Sequence, residues 1–229
     1  MMKRILSFLF IWAFFVLTFS ACAPKPLKKY EAFPKMYNER PLAILVLPPI
    51  NETTAADAKE YYSTTIAEPL SLSGYYVYPI EVISDILKNE GIYDTETLVT
   101  TDPRKFKEYF GADGVMYIWI KKWNTAYYVV GGNVTVGVLC LLKSTTSGEP
   151  LWEYEGTIVQ DTTAGGSGGG LIGLVVKVVA TAVQTAATDY VPIAKRTNYM
   201  VLQTIPSGKY HPRFDKDRDD EVVIIKTTK

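Results

Sequence analysis

Leu42-Ala43-Ile44-Leu45-Val46-Leu47-Pro48-Pro49 is an unbroken apolar run stopped by two prolines. A run that is apolar at odd and even positions alike is a strand buried on both faces. Val115-Met116-Tyr117-Ile118-Trp119-Ile120 has the same character. Between these two runs the period changes. Pro79, Val82, Ile83, Ile86 and Leu87 recur at helical spacing, and Asp102-Pro103 is a cap followed by proline at a first helical position. Phe106, Tyr109 and Phe110 give that second helix its apolar side, and Gly111 closes it. Tyr75 to Tyr78 reads as a short strand after Gly74. Thr53 or Thr54 caps a helix running to about Leu70. Strands alternating with helices predict an α/β domain.

Downstream the pattern alternates with period two. Val134, Val136, Val138, Cys140 and Leu142 lie on one face of a strand, and Trp152, Tyr154 and Ile158 on one face of the next. The Ser147-Gly148-Glu149-Pro150 turn between them predicts an antiparallel hairpin. Glu153, Glu155 and Thr157 make the other face of the second strand wet, which places it near an edge. Leu171 to Asp189 reads as a nearly all-apolar helix whose polar residues Lys177, Thr181, Gln184, Thr185 and Thr188 form one stripe. Lys177 near its middle argues against a membrane span. Val191-Pro192 opens a further helical stretch, and Ile205 to Pro212 is a turn-rich exit.

The start of the chain carries an address. Lys3 and Arg4 precede an apolar segment from Ile5 to Phe19, shorter than the roughly 20 residues of a membrane span. Ser20-Ala21 then stands directly before Cys22. This resembles the lipobox of bacterial lipoproteins, with Phe19 where leucine is usual. The resemblance implies that residues 1–21 are a signal peptide and that Cys22 is the lipid-attachment site. Ala23, in place of an aspartate, implies sorting to the outer membrane. Residues 22–41 hold Pro24, Pro26, Pro34 and Pro41 and read as a tether; an arm packed on the domain is the alternative. Residues 42–212 form one domain, and 213–229 a charged, mobile tail.

Lysine plus arginine and aspartate plus glutamate balance at 24 each, so no basic excess points to nucleic acid. His211 is the single histidine, which leaves metal sites and acid–base chemistry poorly supplied. With Cys22 acylated, Cys140 has no intrachain partner and reads as a small apolar filler. Gly165-Gly166-Ser167-Gly168-Gly169 fits Gly-x-Ser-x-Gly, and Asp189 and His211 follow in hydrolase order. Any serine within a glycine run fits as well, and too few strands precede it for a hydrolase sheet. The glycines from 165 to 170 also suit an anion at a helix N-terminus, although no Gly-Lys-Ser/Thr follows and a flexible connector is the plainer reading.

The element order resembles the N-terminal domain of TolB and the periplasmic domain of CsgG-type secretion lipoproteins. The residues that carry this are Ala43 to Pro48, Gly111-Ala112-Asp113-Gly114-Val115, and the Gly148-Glu149-Pro150-Leu151-Trp152 turn. With the Tyr210-His211-Pro212 exit, the mature chain more closely resembles a family of bacterial outer-membrane lipoproteins of unassigned function. The resemblance implies a three-layer-like α/β fold with a mixed sheet of about five strands. It also implies a periplasmic, non-enzymatic binding or assembly module beside a CsgG-like secretion or envelope complex, with no cofactor. The hairpins are too short for a CsgG-type pore. The alternatives are a membrane-inserted subunit using Ala164 to Ala187 and an envelope serine hydrolase using Ser167. The open edge of Leu151 to Ile158 and the β-prone Val222 to Ile225 invite strand addition, within one chain or between two copies, and lead us to expect a homo-oligomer, foremost a dimer.

Replacing Cys22 by alanine removes the thiol that the processing enzymes acylate. We expect Cys22→Ala to abolish incorporation of labelled palmitate and to leave the leader uncleaved; palmitate uptake by the variant would refute the assignment.

Overall fold

The computed structural model describes residues 26–128, 131–161, 175–179 and 190–224. In chain order the elements are β1 (Leu27–Lys28), α1 (Lys29–Ala32), α2 (Pro34–Glu39), β2 (Ala43–Val46), β3 (Ile50–Asn51), α3 (Ala58–Ser63), α4 (Ala67–Leu72), β4 (Tyr76–Val77) and α5 (Ile80–Asn89). A 3-10 turn (Thr95–Leu98) leads to α6 (Arg104–Phe110). Then follow β5 (Gly114–Tyr128), β6 (Gly131–Ser144), β7 (Pro150–Asp161), β8 (Val175–Val179), α7 (Val191–Leu202) and β9 (Glu221–Val222). The main sheet is mixed and runs β4-β2-β5-β6-β7-β8, with β3 paired to β5 beyond β2. The α/β reading therefore holds, with seven strands among the described residues rather than about five.

The two apolar runs lie side by side as parallel strands, Leu45 opposite Val115 and Val46 opposite Met116. Period two then divides them between the faces. Ile44, Val46, Met116 and Ile118 join Val136, Cys140, Trp152 and Tyr154 in one cluster, which α2, α3, α4 and α7 cover. Leu45, Leu47, Val115 and Tyr117 join Ile83, Leu87, Leu98 and Phe106 in the other, beneath α5 and α6. The result is three layers. Asp113, from the Gly-Ala-Asp-Gly entry, sets their register: its Oδ2 accepts the amide hydrogens of Leu42 and Ala43, each at 3.1 Å. On the first face α7 lies close to β7 because position 156 is glycine. A Cβ there would stand 2.5 Å from Val201 Cγ2.

The hairpin forms as read: β6 and β7 pair from Asn133–Asp161 to Lys143–Pro150. Gly148 takes the positive φ, 78°, that the turn requires. Ser144 Oγ accepts the amides of Thr146 and Ser147.

Five further expectations are corrected. First, 22–41 is not a tether over its described part. Phe33, Met36 and Tyr37 are buried, and Pro34 opens α2 rather than stiffening a linker. Second, Val175–Val179 is a strand paired in parallel with β7, not part of a helix from 171 to 189. The helical stripe counted the polar residues and overlooked the β-branched valines, which are stiff in helices and favour strands. The rest of that segment lies outside the described residues. Third, 213–224 is packed. Its charges pair with each other and with the arm, as in Arg213–Asp220, Arg218–Asp215 and Arg40–Asp215. Fourth, β7 is flanked by β6 and β8, and β9 pairs antiparallel with β1 of its own chain. Strand addition thus occurs within one chain at Val222, while β8 covers only the last two residues, Thr157 and Ile158, of the edge expected from Leu151 to Ile158. Fifth, the helix expected from 53 to 70 is two short helices, α3 and α4, broken at Thr64 to Ile66.

Trp152 is 1% exposed, stacks on Tyr154 and donates from Nε1 to Thr204 Oγ1 at 3.1 Å. We expect Trp152→Ala to cost about 3–5 kcal/mol, as large aromatics lost from cores do. Urea unfolding measures it; an unchanged midpoint would contradict the packing described.

Candidate functional site

Helix α5 has more apolar residues than one buried stripe needs. At 3.6 residues per turn, Ile80, Leu87, Ile83, Ile86 and Val82 span an arc of about 160°. The inner part, Ile80, Ile83 and Leu87, is buried. The outer part is open: Val82 is 52% exposed and Ile86 40%. Helix α6 lies across from it. Its start is fixed by Asp102, whose Oδ1 accepts the Arg104 amide at 3.0 Å, and its end by Gly111 at a φ of 70°. That frame turns Phe106 inward and leaves Tyr109 73% exposed.

Between the two helices is a groove of about 590 Å³. Ile86, Leu98, Phe106 and Tyr109 supply its apolar lining, and Glu90 and Lys105 its charges. At the other end of α6, Tyr78 donates to the Phe110 carbonyl at 2.9 Å and meets Tyr76 edge-on at 5.3 Å between centroids. Tyr76 is 51% exposed, so an aromatic surface runs on to the β4 edge of the sheet. Such a groove can take up an aliphatic or aromatic side chain. Its lining includes no histidine, cysteine or serine. Among the described residues no group of three or more His, Cys, Asp and Glu is placed to hold a metal ion.

The residues singled out by sequence fall elsewhere. Cys22, Ser167 with its glycines, and Asp189 lie outside the described residues. His211 sits in the exit turn, where its Nδ1 accepts the Arg213 amide at 3.1 Å. That turn packs on Gly74, whose φ of 93° and lack of a Cβ admit the His211 backbone. Glu153 is exposed on β7. Cys140 faces the core beside Tyr62, whose hydroxyl donates to Asn198 Oδ1. Asn198 Nδ2 in turn donates to Thr65 Oγ1 at 2.8 Å, tying α7 to the end of α3. Sequence reading placed all the apolar residues of α5 on one side and missed the groove; the width of the arc was the available signal.

A family described as "Putative lipoprotein GNA1162-like" matches residues 30–210. A curated protein of Neisseria meningitidis serogroup B, "Putative lipoprotein NMB1124/NMB1162", is 29% identical over 174 residues, 76% of this chain and 80% of that protein. The crystal structure of lipoprotein GNA1162 from Neisseria meningitidis is similar over 53% of this chain and 85% of its own, at 30% identity and a TM-score of 0.51.

Burial pushes the Cys140 thiol from an ordinary 9.0 up to about 12, with the Tyr62 hydroxyl working against the rise. A pKa raised by folding stabilises the fold below the unfolded value, and that contribution fades as pH climbs from about 9 toward 12. At about pH 8 the folded protein holds almost no thiolate there. We expect an aromatic disulfide reagent to leave Cys140 untouched until denaturant unfolds the chain. Fast labelling of the folded protein would contradict its enclosure.

Proposed function

The chain belongs to the GNA1162-like lipoprotein family, and we propose that it is an outer-membrane-anchored periplasmic lipoprotein acting as a non-enzymatic binding or assembly module. The anchor is the acylated Cys22, and Ala23 supports the outer-membrane address. More than one acyl chain, at about 0.8 kcal/mol per buried methylene, makes such an anchor effectively stable. The observation that carries the binding role is the groove between α5 and α6. It exposes Ile86 and Tyr109 on a layer whose inner side already has a complete core. Aromatic and aliphatic residues held open on rigid helices suit a protein segment that inserts one apolar side chain. The resemblance to CsgG-type lipoproteins supports a partner in an envelope or secretion complex.

The test is photo-crosslinking in intact cells, with a benzophenone amino acid at Tyr109 and, as control, at Tyr210 on the exit turn. We expect a discrete adduct from position 109 that the control lacks. Ile86→Asp should remove that adduct by about tenfold or more while shifting stability by no more than about 0.5 kcal/mol, as surface changes do. Equal adducts from both positions, or an adduct indifferent to Ile86→Asp, would overturn the reading.

A further inference from the structure

The packed arm shortens the connection between the lipid and the domain. From Lys29 onward the chain is fixed. The Lys29 amide donates to the Asp220 carbonyl at 2.8 Å, the Tyr30 amide to the Arg218 carbonyl at 3.2 Å, and Phe33, Met36 and Tyr37 are buried. Leu27 pairs with Val222 just ahead of this. Only Ala23, Pro24, Lys25 and Pro26 separate Cys22 from Leu27. At 3.3–3.6 Å per residue, five steps reach about 17 Å at full extension.

The place of attachment matters as much as the reach. Phe33, Met36 and Val222 pack in the cluster on one sheet face, whereas α5 and α6 cover the other face. Helix, sheet and helix, each about 10 Å from the next, make a body about 30 Å thick. A 17 Å leash on one layer cannot swing round to lay the opposite layer on the bilayer. The attachment end also suits the membrane interface. Leu27 and Tyr30 are 39% and 46% exposed on either side of Lys28, and aromatic rings and lysine stems both settle at headgroup depth.

We propose that the domain is moored close against the lipid surface by its β1–α1 end, with the groove between α5 and α6 turned away from the bilayer. This rests on the acylation of Cys22. The groove then meets partners on the periplasmic side. A body of this length has a radius of gyration of about 16 Å, so those partners come within about 60 Å of the membrane.

The experiment uses the full, lipidated protein in phospholipid vesicles that carry an acceptor dye on their headgroups. A donor dye is placed by Tyr30→Cys or, on the α5–α6 layer, by Tyr93→Cys, a side chain 71% exposed. Cys140 is buried and stays unlabelled. Thermal melting checks that each variant is folded. We expect transfer at least about twofold stronger from position 30 than from position 93. Inserting a Gly/Ser linker of about 20 residues between Pro26 and Leu27, adding about 25 Å of root-mean-square reach, should erase the difference. Equal transfer from both positions in the unextended protein, or a difference that survives the linker, would overturn the mooring. Failure of the protein to float with the vesicles would instead refute the acylation of Cys22.

Discussion

The carboxylate of Asp217 is completely enclosed, and three separate stretches of chain meet on it. Tyr37 donates its hydroxyl to Oδ1 at 3.2 Å, and the Ser207 amide donates to Oδ2 at 2.7 Å. Lys29 Nζ stands 3.6 Å from Oδ2 and donates to the Ile205 carbonyl at 3.1 Å. Burial lowers the pKa of Lys29, and the facing Asp217 works against that loss. Neither ion can leave without stranding the other: removing one partner of a buried pair costs about 3–5 kcal/mol. The pair therefore specifies where the arm, the exit and the C-terminal stretch belong, whatever its net contribution to stability.

The exit turn connects this junction to the sheet. Gly208 and Gly74 approach backbone to backbone so closely that a Cβ on Gly208 would lie 2.3 Å from the Gly74 oxygen. The Gly208 amide donates to Ser73 and the Tyr210 amide to Gly74. Tyr75 donates to the Pro206 carbonyl at 2.5 Å. Through these contacts the α4–β4 turn, the exit and the Asp217 junction form one body with the first sheet face. The arm reaches β1 already committed to that face. A short lipid connection and a groove on the opposite layer both follow from it.

Much of the sheet was legible because its signals are local. Runs apolar on both faces gave β2 and the start of β5. Alternation with a Gly-Glu-Pro turn gave the β6–β7 hairpin, and Asp102-Pro103 with Gly111 bounded α6. The parts that were not legible depend on partners distant in sequence. Composition marks 213–224 as charged, yet no composition shows that Asp217 will meet Lys29 and Tyr37 far back in the chain. Prolines 34 and 41 look like linker residues until Phe33, Met36 and Tyr37 are seen to fill the core. The polar stripe from Lys177 suggested a helix, but strand pairing with β7 prevailed at Val175–Val179. The groove was half visible: the spacing puts Tyr109 of α6 on the apolar side with Phe106, yet it is 73% exposed, whereas the 160° apolar arc of α5 signals an open face.

Hydrogen exchange on Asp217→Asn tests the role of this junction most directly, because the side chain keeps its shape and loses only its charge. If Asp217 holds arm and tail together, amides from Lys29 to Arg40 and from Arg218 to Val222 lose protection together, by about a hundredfold or more for a cost near 3 kcal/mol. Amides in the β5–β7 ladders stay protected. Unchanged exchange in the arm, or loss confined to residues beside position 217, would contradict it.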